Sequence, residues 1–305
     1  MIIGHQRVLD FFEKSVKNNK LAHAYLFLGS ENLGKYTVAL ELIKKINGAD
    51  INLKAHPDVL IVEPETLKNS KSKRELEISI NQIRKIKHQL SLSPYSALYK
   101  TILINQADKM TAEASNCLLK TLEEPSKKSI LILIASNAGL LLPTIVSRCQ
   151  SIKFLPVADQ EIIKGIKYFN SSLDESEMTK ILRLSYGRPG IAIQYLNNPE
   201  LIREYNQSID NLKELIQSDL NNRFKFAETI SKDAMGARRM LHWWMFWLRD
   251  AILIKIGCKE TTADFTKYSL TDLKRIVKTV KQTDKILGNA SFNARLALEV
   301  LMLEL

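Results

Sequence analysis

The first half of the chain alternates between short, mainly apolar runs and longer segments in which apolar residues recur at helical spacing. Short apolar runs are typical of strands that are buried on both faces of a parallel sheet. The predicted strands are 24–28, 59–62, 101–105 and 130–134. The predicted helices before and between them are 5–19, 34–47, 78–91 and 111–123. This order predicts an α/β fold built on a mainly parallel sheet.

The pattern changes after Pro156, where strand-like runs stop and helical spacing takes over. Short helices are predicted at 158–170, 174–185 and 188–197. Longer helices are predicted at 201–217, 220–232, 234–256, 269–286 and 290–304. We therefore predict three parts: an α/β core over 1–156, a small helical unit over 157–199 and an all-α domain over 200–305.

A loop with two glycines, Gly29–Lys35, joins the first predicted strand to the next helix and follows the pattern G-x-x-x-x-G-K. Glycine lets the backbone approach a phosphate closely, and the N–H groups at the start of a helix point towards a bound anion. A strand before the loop and a helix after it are the context in which this pattern predicts nucleotide binding. Gly29, Gly34 and Lys35 are therefore the predicted nucleotide-binding residues.

The residues that should hold the metal ion of such a site are replaced. The position after Lys35 is normally Ser or Thr, whose hydroxyl binds Mg²⁺, but this chain has Tyr36. The strand 101–105 leads into Asn105 and Gln106, where an Asp–Glu pair would bind the metal and orient water. Amides cannot offset the charge of a divalent cation or act as a general base. We expect a phosphate loop without a metal site, although Thr37, one position later, leaves a shifted register open.

Two longer motifs carry a resemblance to a known family. The first is Ala-Asp-Lys-Met-Thr at 107–111, followed by Asn-Cys-Leu-Leu-Lys-Thr-Leu-Glu-Glu-Pro at 116–125. The second is Leu-Pro-Thr-Ile-Val-Ser-Arg-Cys at 142–149. Both resemble motifs of the clamp-loader branch of the AAA+ ATPases. Shorter likenesses lie at 21–27, 56–58 and 293–299, so the resemblance spans nearly the whole chain.

The resemblance implies an AAA+ core, a helical lid and an all-α collar that holds subunits together. Because the metal-site residues are replaced, it is most like family members that do not hydrolyse ATP. It implies a component of the DNA polymerase III holoenzyme in the cytoplasm, with gamma/tau and delta subunits as partners. Together these would act on the sliding clamp and on primer–template DNA during replication. No cofactor is expected to bind.

The resemblance also assigns roles to basic residues. Arg148 would be an arginine finger that reaches, in trans, the ATP of a neighbouring subunit, where a guanidinium stabilises the charge of the transferring phosphoryl group. The alternative is an ordinary surface arginine after a strand. Helix 78–91 is basic on one side, and a comparable region of clamp loaders faces the DNA backbone. Arg84 and Lys85 are therefore candidate DNA contacts, although a solvated helix face explains these charges nearly as well.

This chain departs from the family at two places. Many relatives carry a four-cysteine zinc module before His56, but the segment 47–55 contains no cysteine, and a closed zinc site needs four ligands. We expect no zinc and no other metal. Active members also carry an arginine that senses nucleotide before the last lid helix. That position corresponds to Gly190, and Arg188 stands two residues early, so a sensor acting on the chain's own nucleotide is not expected.

Two rival functions remain open from the residues alone. One is an ATP-hydrolysing subunit of gamma/tau type, which would need a hydroxyl after Lys35 and carboxylates at 105 and 106. The other is a DNA-binding repair or recombination protein of the AAA+ class. The collar-like 293–299 segment and the Ser147–Cys149 motif disfavour the second rival.

Composition adds little to this picture. The net charge of +11 suits a phosphate-bearing partner, but a general basic bias explains it equally well. No apolar run reaches the roughly 18 residues of a membrane helix, and the first residues lack the features of a secretory signal. The three cysteines, Cys117, Cys149 and Cys258, form no paired motif, so we expect a reduced, cytosolic protein. Trp243, Trp244 and Trp247 have helical spacing and are predicted to lie in a helical core or subunit interface.

Overall fold

A computed structural model describes residues 1–48, 52–53, 55–66, 76–126, 128–170, 173–257, 269–288 and 292–305. They fall into two units, Met1–Asn197 and Asn198–Leu305. Division of the first unit at residue 156 remains a prediction. Cys258 and the start of the predicted helix 290–304 lie outside the described residues. No helix among the described residues is long and apolar enough to cross a membrane.

The first unit is built on a sheet whose strands are all parallel, as the apolar runs predict. The strands of this unit are β1 (Ala24–Leu28), β2 (Val59–Val62), β3 (Glu65–Thr66), β4 (Leu76–Glu77), β5 (Lys100–Ile104), β6 (Ser129–Ala135) and β7 (Gln150–Lys153). The order in the sheet is β2-β5-β6-β1-β7, while β3 and β4 form a separate antiparallel pair. In the register, Leu26 lies opposite Leu133, and Ile104 also lies opposite Leu133 from the other side.

Helices cover both faces of this sheet. The helices of the whole chain are α1 (Gln6–Lys17), α2 (Lys35–Asn47), α3 (Ile80–Ser91), α4 (Ala112–Glu123), α5 (Pro143–Val146), α6 (Asp159–Phe169), α7 (Glu175–Ser185), α8 (Pro189–Asn197), α9 (Glu200–Gln217), α10 (Leu220–Ile230), α11 (Ala234–Lys255), α12 (Leu270–Leu287) and α13 (Ala294–Glu304). Successive residues of β1 enter different cores: Phe27 packs in one with residues of α1 and α2, and Leu26 in the other with residues of α3 and α4. Burial on both faces explains why these strands are continuously apolar.

Three strands and one short helix were not predicted, and each omission has a physical reason. Strand β7 is polar and largely exposed because it lies at the edge of the sheet, paired only with β1. The strands β3 and β4 are two residues each, too short for any period to show. Helix α5 is a single turn that starts at Pro143, a residue favoured at the first helical position.

The segment His56–Asp58 fixes the entry to β5. Asp58 is buried, and its carboxylate accepts hydrogen bonds from the backbone N–H groups of Tyr95, Ser96 and Ala97 at 2.8–3.0 Å. Burial alone would raise the pKa of Asp58, but these three hydrogen bonds outweigh it and hold the pKa below its usual value. The turn before β5 is therefore tied to the residue that directly precedes β2.

The second unit is entirely helical among its described residues, α9 to α13. Trp244 is fully buried, and its indole N–H donates to the carbonyl oxygen of Ser208 at 2.9 Å. Its ring stacks on Phe226, with centroids 6.3 Å apart. Trp243 and Trp247 are also buried, so the helical spacing of the three tryptophans correctly predicts a core position. The predicted α/β core followed by helical parts is thus the observed fold class.

Candidate functional site

The loop Gly29–Lys35 lies at the carboxyl edge of the parallel sheet, between β1 and α2. Gly29 and Gly34 have positive φ angles of 149° and 91°, and Asn32 has φ of 63°. A Cβ atom at Gly29 would lie 2.5 Å from the carbonyl oxygen of Phe154, the residue that follows β7. Only glycine permits this approach, which seats the loop against the end of the neighbouring strand.

The side chain of Lys35 folds back onto the loop that precedes it. Its ammonium donates to the carbonyl oxygens of Gly29 and Ser30, the latter at 2.7 Å. The residue is buried, which lowers the pKa of Lys35, while the negative charges of Glu31 and Asp108 oppose that change. The ammonium of Lys35, the cation predicted to contact a nucleotide bound by this chain, thus lies inside the loop.

Helix α8 contacts the loop through its backbone. The N–H group of Gly190 donates to the carbonyl oxygen of Asn32 at 2.9 Å, and a Cβ atom at Gly190 would lie 3.0 Å from that oxygen. A longer side chain there would push the helix away from the loop. Arg188 donates from Nε to the carbonyl oxygen of Ser185 at 3.4 Å. The position that corresponds to the sensor arginine of active family members is thus a glycine packed against the loop.

A cavity of about 280 Å³ lies beside the loop. Its lining comprises residues 31–37, Asn105, Gln106, Asp108, residues 134–136 and Gly190. The structure thus brings Gly34, Lys35, Tyr36, Asn105 and Gln106 together, as the sequence predicts. Gly29 lies at the start of the loop, outside the lining. Thr37 also lines the cavity, so both residues that follow Lys35 face it.

Glu63 is a site neighbour that sequence reasoning missed. It directly follows β2, and its Oε1 accepts a hydrogen bond from Asn105 Nδ2 at 3.2 Å. Burial raises the pKa of Tyr36, and the negative charge of Glu63 raises it further. The sequence could have indicated this neighbour, because Glu63 directly follows one predicted strand and Asn105 ends another. Parallel strands present their carboxyl ends at one edge of the sheet.

Asp108 is one of two carboxylate residues that line the cavity, the other being Glu31, and Ser136 Oγ donates to Asp108 Oδ2 at 3.0 Å. No group of three or more His, Cys, Asp or Glu residues suited to a metal ion occurs among the described residues. The backbone of the loop and Lys35 fit a phosphate, but the hydroxyl of Tyr36 and the amides of Asn105 and Gln106 do not fit the usual ligand set of Mg²⁺.

Arg148 lies elsewhere, between α5 and β7, and is not among the residues that line the cavity. Its Nη2 forms an ion pair with Glu123 Oε1 at 2.9 Å, and its Nη1 donates to the carbonyl oxygen of Thr144 at 3.1 Å. The side chain of Arg148 is 37% exposed. The guanidinium is thus held from two sides and retains further N–H groups for another acceptor.

Cys149 lies next to this arginine, and its thiol is not activated. Burial raises the pKa of the Cys149 thiol to about 12, so the reactive thiolate is scarce at neutral pH.

The two candidate DNA contacts, Arg84 and Lys85, lie on the exposed side of α3. Ile83 and Ile86 of the same helix are fully buried against the sheet. Arg84 Nη1 lies 3.4 Å from Asn81 Oδ1, within the same helix. Neither residue lines the cavity, and a role in DNA binding stays a prediction.

The fold and the loop together define a class. A parallel sheet with a phosphate loop after β1, followed by the three helices α6–α8 and a helical second unit, is the architecture of an AAA+ protein. A model of the family described as DNA polymerase III, delta subunit, matches residues 4–158, just over half of the chain. The chain belongs to this family, and with it to the clamp-loader proteins of DNA polymerase III, of delta-prime, gamma and tau type.

Individual relatives agree with this assignment. The DNA polymerase III subunit delta-prime of Bacillus subtilis is 35% identical in an alignment of 170 positions that covers 51% of this chain and 49% of the relative. The subunit delta-prime of Pseudomonas aeruginosa is 25% identical over 93% of this chain and 91% of its own. A solved structure of a DNA polymerase III gamma subunit-related protein from Thermotoga maritima superposes with a TM-score of 0.57 at 19% identity, covering 96% of this chain and 97% of that one. That last likeness concerns the fold alone.

Proposed function

We propose that this chain is a delta-prime-type subunit of the DNA polymerase III clamp loader that turns over no ATP and presents Arg148 to the ATP site of a neighbouring subunit. The observation that carries the proposal is the placement of Arg148. Its guanidinium lies outside the chain's own cavity, is partly exposed and is oriented by Glu123 and Thr144. A guanidinium held in this way is suited to a phosphate on another molecule.

The cavity supports the other half of the proposal. Amides stand at 105 and 106, so no carboxylate occupies the strand end where a metal would bind. The carboxylate of Glu63 lies beside Asn105 and accepts a hydrogen bond from its amide N–H. The loop is retained because its backbone joins β1, α2 and α8, which is a structural role independent of turnover.

Glu123 is expected to position the finger. Replacing Glu123 with Gln removes the charge of the ion pair, and exposed pairs of this kind contribute about 0.2–1 kcal/mol. We expect Glu123→Gln to slow ATP hydrolysis at the neighbouring site by about 2- to 5-fold, with KM for ATP unchanged. Glu124→Gln, at the next exposed residue, is the matched control. Equal rates for Glu123→Gln and the wild-type chain would remove Glu123 from this role.

The second unit offers a surface for assembly. Helix α13 buries Leu298 and Leu301, yet Leu296, Val300 and Leu303 on its other side are 58%, 51% and 57% exposed. These three residues are spaced i, i+4 and i+7 and form an apolar stripe. We propose that the stripe packs against the collars of gamma/tau and delta subunits. The assembly would work in the cytoplasm, placing the sliding clamp on primed DNA during replication.

Assembly through α13 is tested with a charge in the stripe. We expect Val300→Glu to leave the chain folded, because the residue is exposed, and to abolish co-elution with gamma/tau and delta subunits in size-exclusion chromatography. Gln282→Glu, at an exposed polar position of α12, is the control and should assemble normally. A Val300→Glu chain that still joins the complex would exclude this surface.

A further inference from the structure

Helix α12 carries a single-sign row of basic side chains on its exposed face. The row, called here the lysine stripe, consists of Lys274, Lys278, Lys281 and Lys285, all exposed. At 3.6 residues per turn these positions lie within about 60° of one another around the helix, and the row is about 16 Å long. Leu273, Ile276 and Val280 occupy the buried side. The lysines thus project away from the core of the unit.

The carboxylates on and beside α12 are already engaged by arginines rather than by the stripe. Arg275 pairs with Glu304 at 3.2 Å and with Asp272 at 3.9 Å. Asp284 accepts from Arg238 Nε at 3.0 Å and lies 3.8 Å from the ring of His242. These are the only two aspartates of α12, which has no glutamate. Within the described part of the chain, no ion pair reaches any of the four lysines.

This arrangement costs the helix stability. Lys274 and Lys278 are spaced i, i+4, as are Lys281 and Lys285, and Lys278 and Lys281 are spaced i, i+3. Like charges at these spacings repel one another on a helix surface. Helix α9 of the same unit, by contrast, mixes both signs and contains its own ion pair, Lys213–Asp210. The stripe is therefore better explained by a partner than by the needs of the fold.

We propose that the lysine stripe binds the phosphate backbone of a nucleic acid, at a site separate from α3 and independent of the arginine finger. The row is as long as about five phosphates of one strand, at 3.4 Å each along a duplex. Lysine is a compact charge that meets phosphates without reading sequence. A protein partner is disfavoured because protein interfaces are depleted of lysine and enriched in aromatic residues. A membrane is disfavoured because α12 has no aromatic residue to insert.

The test measures binding of the full chain to a fluorescein-labelled 20-nucleotide oligothymidylate by anisotropy, between 50 and 200 mM salt. Each phosphate contact with a single strand contributes about −0.7 to the slope of log K against log salt. Changing all four stripe lysines to Gln should make that slope shallower by about 3 and weaken binding at 50 mM salt at least about tenfold. Replacing the same four lysines with Arg should retain both the slope and the affinity.

The control variant replaces Lys14, Lys20, Lys164 and Lys167, exposed residues of the first unit, with Gln. This variant loses the same number of positive charges, four of the net +11, as the stripe variant. It should change the slope of log K against log salt by less than about one. Circular dichroism checks that both variants are folded. Equal losses in the two variants, or no loss from the stripe, would overturn the proposal. Displacement of the oligonucleotide by polyglutamate at equal charge concentration would also overturn it, in favour of an acidic polypeptide.

Discussion

Arg148→Ala should lower ATP hydrolysis at the neighbouring site of a reconstituted complex by about 10³-fold or more, the usual contribution of an arginine finger. The chain itself should remain folded, because the side chain is partly exposed and its ion pair with Glu123 is a surface pair. Arg148→Lys should be nearly as slow, since an ammonium keeps the charge but loses the planar fork that binds two oxygens at once.

Single-turnover hydrolysis is the appropriate measurement, because a clamp loader with several ATP sites would lose one of them. The affected site then appears as missing fast amplitude rather than as a small change in the average rate. Arg203→Ala serves as the control, since Arg203 is an exposed arginine that pairs with Glu200 within α9. Full fast amplitude with Arg148→Ala would mean that the arginine is an ordinary surface residue.

Trp244→Ala is expected to have the largest effect on stability. The residue is fully buried, donates to Ser208 and stacks on Phe226, so truncation leaves a large cavity and an unpaired carbonyl oxygen. Replacing a buried aromatic residue with Ala typically costs about 3–5 kcal/mol, against a total stability of about 5–15 kcal/mol for a domain. We expect the second unit to unfold at much lower urea concentration, and the chain to drop out of the complex.

Urea denaturation followed by far-UV circular dichroism measures this effect, with the transition of the first unit as an internal reference. Met235→Ala, at an 84% exposed position of α11, should shift stability by less than about 0.5 kcal/mol. A Trp244→Ala chain with the wild-type midpoint and normal assembly would contradict the placement of this residue at the centre of the helical core.

Much of the fold is predictable because burial on both faces leaves a strong signal. Strands β1, β5 and β6 lie at the centre of the sheet, and their apolar runs mark them within one residue of the observed bounds. Edge strand β7 needs no such run, since it pairs on one side only and most of its residues are exposed. The pattern of apolar residues reports burial rather than strand formation itself.

The cavity was predictable for a different reason. Loop Gly29–Lys35 and the end of β5 are far apart in sequence but share the carboxyl edge of the sheet, which the parallel arrangement requires. What the sequence did not disclose is the set of contacts made by each side chain. The hydrogen bond from Asn105 to Glu63 and the packing of Gly190 against Asn32 depend on tertiary distances that no motif encodes.

The two basic sites illustrate the same limit. Arg148 was found through a motif, but only the structure places Glu123 and Thr144 around its guanidinium. The lysine stripe belongs to no motif. Only the structure shows that arginines, rather than these lysines, engage the two aspartates of α12.

Measuring Mg²⁺-dependent ATP hydrolysis with and without this chain tests the proposal that it contributes a guanidinium and no turnover. Three samples are compared: the purified chain alone, gamma/tau with delta, and all three together with the clamp and primed DNA. We expect background hydrolysis for the chain alone and a marked rise in rate when it joins its partners. Hydrolysis by the isolated chain that Lys35→Ala abolishes would instead identify an active ATPase and exclude the proposed role.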